Sequence, residues 1–419
     1  MNSPRLLLMC AALLAPLPAA ALRLADAERL MLANDPALTA ARIELRGSQG
    51  DLVAAGRRPV AELALGTSKY SRIEGLGPGR LHDKRLDSTA GVGWTWERGG
   101  KRRLRLQQAG ALLDAAALDL ADAGRLQRLA LREAYFGLKA AQETLAVAEA
   151  DRAQSAEAMA AIAHQVRVGA VAAIERDRLQ VEDLKLASAQ RAAMLDLLDA
   201  QQALALLLGE GIDPQQLQAE DPWPQPQAWS EADTAAVLER RADLRAAAQR
   251  VQAADSGRAL ARSLRRRDIG LGIEAEREPT DVAGLTWGVS ISVPLHGPGH
   301  YRGEIVRAEA DYDLAALEQR VAVDAATREL QRLRQALHQA DARLRDYEDA
   351  LAPAAQAARE GMELAYRRGA ASLTDLLDAR RAAREADLDL IEARAAHALA
   401  LAQWQAATRT TDTADESVR

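Results

Sequence analysis

Two stretches about two hundred residues apart carry nearly the same pattern: Val166-Arg167-Val168-Gly169-Ala170, and Tyr366-Arg367-Arg368-Gly369-Ala370 with Ala371-Ser372-Leu373-Thr374-Asp375 after it. Long helical patterns enter and leave each stretch, so Gly169 and Gly369 read as the turns of helical hairpins, where positive φ is cheapest on glycine. The duplication extends outward. Leu32 to Leu45 aligns without a gap on Leu238 to Val251, and Glu62 to Gly66 falls on Asp268 to Gly272. A chain of 419 residues has room for two unrelated domains, but repetition in the same order points to one protein built from two similar halves.

The ends and the connector mark the boundaries. Arg5 followed by the apolar run Leu6 to Leu14, Pro16, Pro18 and Ala19-Ala20-Ala21 reads as a secretory signal peptide over residues 1–21. The run is shorter than the ~20 apolar residues that span a bilayer. Cys10 lies in that segment, so disulfides and thiolate chemistry are absent from the mature chain. Residues 22–208 form the first repeat, the Pro-rich stretch 209–230 a connector, 231–408 the second repeat and 409–419 a polar tail. Hydrophobic residues make up 48% of the chain and aromatics 3%, mostly Ala and Leu, which suits long helices packed through small side chains. The net charge of -6 gives no nucleic-acid footprint.

Within the first repeat, Leu24 to Arg57 has a helical pattern, with Asp26 as the expected N-cap and a break at Asp35-Pro36. Val60 to Tyr70 and Ser88 to Trp96 alternate as strands do, joined by a Gly-rich loop, Ser71 to Asp87. From Lys101 to Val166 neither proline nor turn interrupts a helix that would be roughly 100 Å long. After Gly169 the chain returns as a helix over Ile174 to Leu208. The second repeat retraces this with strands at Ile269 to Ala275 and Leu285 to Val293, a helix from Gly303 to Tyr366 and a last helix from Leu373 to Ala407. Val323, Ala326, Leu330, Leu333, Leu337, Ala340, Leu344, Tyr347 and Leu351 keep the three-four spacing of a left-handed coiled coil. Pro353 is expected to interrupt it.

The fold class is therefore mainly α with a small transmembrane β part. Strands that alternate apolar with small or polar residues and carry Trp94, Trp96 and Trp287 suit one face in lipid and one facing a lumen. Four strands cannot close a barrel, and open edges are not tolerated in lipid, so several chains must complete it.

These residues resemble the TolC-type outer-membrane efflux proteins over nearly the whole mature chain. The resemblance rests on Leu24-Ala25-Asp26-Ala27, Asn34-Asp35-Pro36-Ala37-Leu38, Arg241-Ala242-Asp243-Leu244, Ala134-Tyr135-Phe136-Gly137-Leu138, Val293-Pro294-Leu295 before Gly303-Glu304-Ile305, and the two Gly-Ala turns. Trp96-Glu97-Arg98-Gly99-Gly100-Lys101-Arg102 is similar to a segment of the branch serving cobalt, zinc and cadmium pumps, which implies heavy-metal cations as cargo. The resemblance implies a homotrimer with a twelve-stranded barrel in outer-membrane lipid and an α-helical barrel crossing the periplasm. It also implies a periplasmic adaptor and a proton-driven inner-membrane pump as partners, and no catalysis. By the same resemblance Val168, Gly169, Ala170, Arg368, Gly369 and Ala370 are the adaptor-docking tips, and Tyr366, Asp375 and Asp378 the gate. Ala371 stands where the family pattern has a gate-locking arginine, with Arg367 and Arg368 as neighbouring substitutes. Read without the resemblance, Asp375 and Asp378 are equally an acidic first turn favourable to the helix dipole.

No phosphate loop, nucleophile elbow or zinc-protease helix is present, and neither a cofactor nor a metal site is expected. Only His296 and His300 approach a ligand spacing, and His296-Gly297-Pro298-Gly299-His300 reads as an exposed turn. A periplasmic coiled-coil adaptor is the competing reading, which shares the signal peptide and long helices but leaves the strands unexplained.

Overall fold

A computed structural model describes residues 21–68, 80, 87–169, 172–226, 233–278 and 284–408. The expected signal peptide up to residue 20, nearly all of the loop from Ser71 to Lys84 and beyond, the tail and Ala170 lie outside the described residues. Nine α-helices are described, in the order expected of a duplication. The first half runs through β1 (Ala21–Leu22), α1 (Leu24–Asn34), α2 (Pro36–Ala55), β2 (Glu62–Ser68), β3 (Asp87–Trp96), α3 (Lys101–Arg167) and α4 (Ala173–Leu208). After a short β4 (Gln218–Ala219), the second half runs through α5 (Thr234–Arg240), α6 (Ala242–Ser263), β5 (Ile269–Glu278), β6 (Gly284–Ser292), α7 (Arg302–Asp346), α8 (Ala352–Arg367) and α9 (Leu373–Thr408). Asp35, between α1 and α2, and Arg241, between α5 and α6, share one extended conformation, with φ/ψ of -63/126° and -59/128°. The break that Pro36 imposes in one half is thus reproduced without proline in the other.

The described residues fall into two compact units. One draws on Ala40–Ala123 and Asp233–Arg328 and contains a four-stranded antiparallel sheet in the order β2-β3-β5-β6. Its register puts Leu63, Val92, Ile273 and Val289 in one cross-strand row and Leu65, Ala90, Ala275 and Trp287 in another on the same face. Trp94, Leu271 and Ile291 extend that face. The opposite face carries Glu62, Gly93, Gly272 and Ser290, then Ala64, Gly91, Glu274 and Gly288, then Gly66, Thr89, Glu276 and Thr286. The apolar face is bare: Leu65 is 74%, Trp287 72% and Val289 80% exposed. In water such a surface would be strongly unfavourable, so its solvent must be lipid or another apolar body. In the same unit α6 comes close to α3 at Gly257, where a Cβ would lie 3.0 Å from Gln108 Nε2.

The second unit draws on Met1–Thr39, Gly124–Ala232 and Glu329–Arg409. Asp26 proves to sit in the first turn of α1 and is not its N-cap; that position is Arg23, which makes no side-chain cap. The orphan N–H of Leu24 is taken instead by Asp221 Oδ2 at 2.6 Å, far along the chain. Asp221 also accepts from the Tyr135 hydroxyl at 2.9 Å, and that hydroxyl accepts from the N–H groups of Glu220 and Asp221, both at 3.1 Å. Tyr135 is fully buried, and burial pushes its phenol up to about 12, so it remains a donor at any physiological pH. Phe136 stacks on Trp223 and Trp223 Nε1 donates to Glu143 Oε1 at 2.8 Å. The connector is thereby stitched to α3.

The coiled-coil spacing is realised as burial at Ala326, Leu330, Leu333, Leu337 and Leu344. Leu351 is 44% exposed, against expectation. The reason is a π-helical turn at Tyr347–Leu351, whose extra residue rotates the apolar stripe. Pro353 follows at once in a helix that does not break, so the shifted hydrogen bonding of the π-turn accommodates its missing N–H. Among the described residues no helix is long and apolar enough to cross a membrane.

Ile273 and Glu274 are adjacent in β5 but lie on opposite faces. Ile273→Arg is expected to cost about 2–4 kcal/mol by placing a charge on the lipid face, depleting the protein from outer-membrane fractions, whereas Glu274→Gln leaves its yield there unchanged.

Candidate functional site at the helical turns

Both hairpin turns adopt the conformation that glycine was expected to supply. Gly169 and Gly369 each have φ of +75°, and a Cβ at either would meet nothing within 4 Å. Backbone conformation, not space, therefore requires glycine. At the second turn the N–H of Gly369 donates to the Tyr366 carbonyl at 2.9 Å and that of Ala370 to the Ala365 carbonyl at 2.9 Å. Val168 is 64% exposed, and Gly169, Arg368, Gly369 and Ala370 are exposed too. The tips thus present small and apolar groups with one arginine.

Ser372 and Asp375 open α9 with a reciprocal cap. The Ser372 N–H and hydroxyl donate to Asp375 Oδ2 at 3.0 and 2.7 Å, and the Asp375 N–H donates back to the Ser372 hydroxyl at 3.2 Å. The Ser372 hydroxyl, and then its backbone N–H, hold the Asp375 carboxyl below the usual carboxylate range. Asp378, one turn on, is exposed and faces Arg381 at 3.2 Å. Tyr366 points elsewhere. It lines a cavity of about 370 Å³ among α3, α4, α8 and α9, with Gln154, Ile162, Leu179, Glu363 and Leu376. No side-chain hydrogen bond joins it to Asp375 or Asp378 among the described residues.

A set of half-buried charges around the buried Glu182, which sequence reasoning missed, lies beside these groups. Arg381 donates to the buried Glu182 of α4 at 3.2 Å; Arg384 stands 3.7 Å from Glu182 and 3.9 Å from Asp151 of α3. Arg380 pairs with Glu363 of α8, while Arg152 and Ser155 of α3 both bond Asp183 of α4. Ionic contacts therefore join both hairpins. Burial, reinforced by Asp387, raises the Asp151 carboxyl against the pull of Arg384; burial likewise raises Asp387 against Arg359. In the sequence these residues look like ordinary solvated charge, and the only signal is that Arg381 and Arg384 share a face three apart. Arg367, which by position alone could replace the missing arginine at 371, instead bonds the Glu363 carbonyl of its own helix at 3.3 Å.

The sequence model described as outer membrane efflux protein matches residues 29–210 and 235–413. The chain belongs to the outer membrane efflux protein family. No curated protein sequence matches it. Its fold is similar to that of a membrane protein from Pseudomonas aeruginosa, at 18% identity and TM-score 0.81 over 92% of each chain. It is also similar to CusC, at 16% identity and TM-score 0.78 over 92% of this chain and 91% of that one. The outer membrane protein VceC from Vibrio cholerae follows at 20% identity and TM-score 0.74, covering 92% and 96%. Members of the family are trimeric outer-membrane channels of tripartite efflux systems. This efflux protein is accordingly a passive outer-membrane channel reaching into the periplasm, and not an enzyme or a soluble adaptor.

In the efflux protein the segment from Trp96 to Arg102 is spent on the junction between β3 and α3. Lys101, 7% exposed, donates to both carboxylate oxygens of Asp268 at 2.7 Å; the Arg98 N–H donates to Asp268 at 2.9 Å, and Glu97 pairs with Arg105. Gly99 and Gly100, at φ of +78° and +71°, make the corner. These contacts bind strand to helix.

Because the folded pKa of Asp387 lies above the unfolded value of ~3.9, its contribution to stability falls as pH rises through that window. Asp387→Asn is expected to melt a few degrees higher than the parent at pH 7, with the gain shrinking toward pH 4 in melting curves at stepped pH.

Proposed function

We propose that three copies of this chain form the exit duct of a tripartite efflux system, their sheets closing into a twelve-stranded barrel. The observation that carries this reading is the four-stranded sheet, with one bare apolar face and with β2 and β6 as its edges among the described residues. Backbone edges are costly in lipid, and antiparallel pairing of β6 with β2 of a neighbouring copy closes them. A periplasmic adaptor docks on Val168, Gly169, Ala170, Arg368, Gly369 and Ala370, and a proton-driven inner-membrane pump supplies the cargo, heavy-metal cations among them.

Asp375 and Asp378 form the constriction in this reading, as two rings of three carboxylates, with Tyr366 beside them as a packing element of the same gate. The low affinity of Asp375 for protons supports its being ionised in the ring, and clustered carboxylates concentrate cations. The ties of Arg381 and Arg384 to Glu182 and Asp151 take the place of the absent arginine at 371 and hold α9 against α4 and α3 while the entrance is shut. Heavy-metal cargo draws support from the acidic polar face of the sheet, at Glu62, Glu274 and Glu276, not from the segment at Trp96 to Arg102.

Two measurements test this. Outer-membrane fractionation and the mass of the detergent-extracted particle are expected to give a trimer in the outer membrane; a monomer or an inner-membrane location would remove the duct. In planar bilayers, Asp375→Asn with Asp378→Asn is expected to lower cation selectivity and weaken block by divalent cations. Unchanged values of both would sink the ring assignment.

A further inference from the structure

A belt of arginine lies at the end of the sheet where β3 passes into α3 and α6 into β5. Residues 57–58, 97–105 and 262–268 hold eleven arginines and lysines against two carboxylates, Glu97 and Asp268, in a chain whose net charge is -6. Hydrogen bonds bring the three stretches together. Arg102 donates to the Gly56 carbonyl at 2.6 Å, Arg105 to that of Arg57 at 3.2 Å and Lys101 to that of Arg266 at 3.0 Å. Lys101 and Arg105 spend their charge on Asp268 and Glu97. Arg57, Arg58, Arg98, Arg103, Arg265 and Arg266 are exposed, and among the described residues their side chains make no hydrogen bond or ion pair. Unpaired like charges gathered at one corner repel one another, and an anion relieves that repulsion.

We propose that this belt binds the phosphate headgroups of anionic glycerophospholipids, such as phosphatidylglycerol, in the membrane leaflet on the helix side of the barrel. The belt borders the apolar face: Trp94 and Trp96, 41% and 60% exposed, end that face on β3, and Arg98 follows two residues on. Tryptophan at the rim of a lipid-facing band sits at headgroup depth, and long basic side chains beside it reach the phosphates. Guanidinium matches phosphate with two parallel N–H···O bonds. The acyl chains of the same lipid cover Trp94, Leu271 and Ile291, which extend the apolar face toward this end of the sheet. One molecule thus meets both surfaces, which neither free phosphate nor a soluble acidic protein does. The inference goes beyond the duct reading but rests on its placing of the sheet in lipid.

The test is native mass spectrometry of the detergent-extracted full-length protein with phosphatidylglycerol, or with phosphatidylcholine of the same acyl chains. The parent is expected to retain phosphatidylglycerol at least about fivefold more strongly, the factor that one basic residue near an anionic surface supplies. Arg58→Gln/Arg265→Gln/Arg266→Gln is expected to remove that preference and to leave phosphatidylcholine retention unchanged. Arg176→Gln/Arg178→Gln/Arg191→Gln, which takes the same charge from exposed positions on α4, is expected to keep it. Equal retention of the two lipids by the parent overturns the belt, and that comparison needs no variant to fold. A preference undiminished in the first variant overturns it too, as does displacement of the lipid by inorganic phosphate. The same spectrum gives the particle mass, so a monomer that still prefers phosphatidylglycerol defeats the duct and not the belt, whereas a trimer without the preference defeats the belt alone.

Discussion

The constraint on which this structure depends is the backbone edge of its sheet. Among the described residues β2 and β6 each pair on one side only and leave a row of N–H and C=O groups unpaired, while the face beside them is too apolar for water. In lipid both conditions are met only when the sheet closes on itself. With four strands per chain, closure has to come from other chains, and the polar face with Glu62, Glu274 and Glu276 then lines the enclosed space. In the proposed duct, oligomerisation follows from strand count and hydrogen bonding, and the helices share its symmetry.

The helical hairpins solve a different problem. Alanine-rich helices approach closely but gain little per residue from burying such small side chains, and the second unit supplements packing with buried polar links. Tyr135 joins β1, the connector and α3 through one hydroxyl. His397, 1% exposed, meets Asp341 of α7 at 2.9 Å, beside the apolar seam. Near the turns, Glu182 and Asp151 face Arg381 and Arg384. Half-buried ionic pairs of this kind are partly desolvated, so losing one partner is penalised more than at a fully exposed pair.

Much of this is legible in the sequence because it depends on periodicity. Alternation places Leu63, Val92, Trp94 and Val289 on one face, and the pairing register agrees. The two glycine turns are legible because left-handed φ demands glycine. The charged contacts are not, since Glu182 and Arg384 lie far apart in sequence and their meeting depends on how four helices rotate about their axes. The π-turn at Tyr347–Leu351 is hidden for a similar reason: Pro353 announces a disturbance, but not whether the helix breaks or absorbs one extra residue. Arg23 as the uncapped start of α1 escapes because its compensating acceptor, Asp221, comes from the connector.

By itself the sequence determined the two-repeat order, the strand faces, the turns and the family, because hydrophobic period and glycine placement act over a few residues at a time. Only the tertiary structure decided that the segment from Trp96 to Arg102 is a strand-to-helix lock, that Asp375 caps its own helix while Tyr366 lines a cavity, and that His296 and His300 meet face to face. Those outcomes depend on side chains brought together in three dimensions, where a distance of a few ångströms separates a solvated charge from a partner.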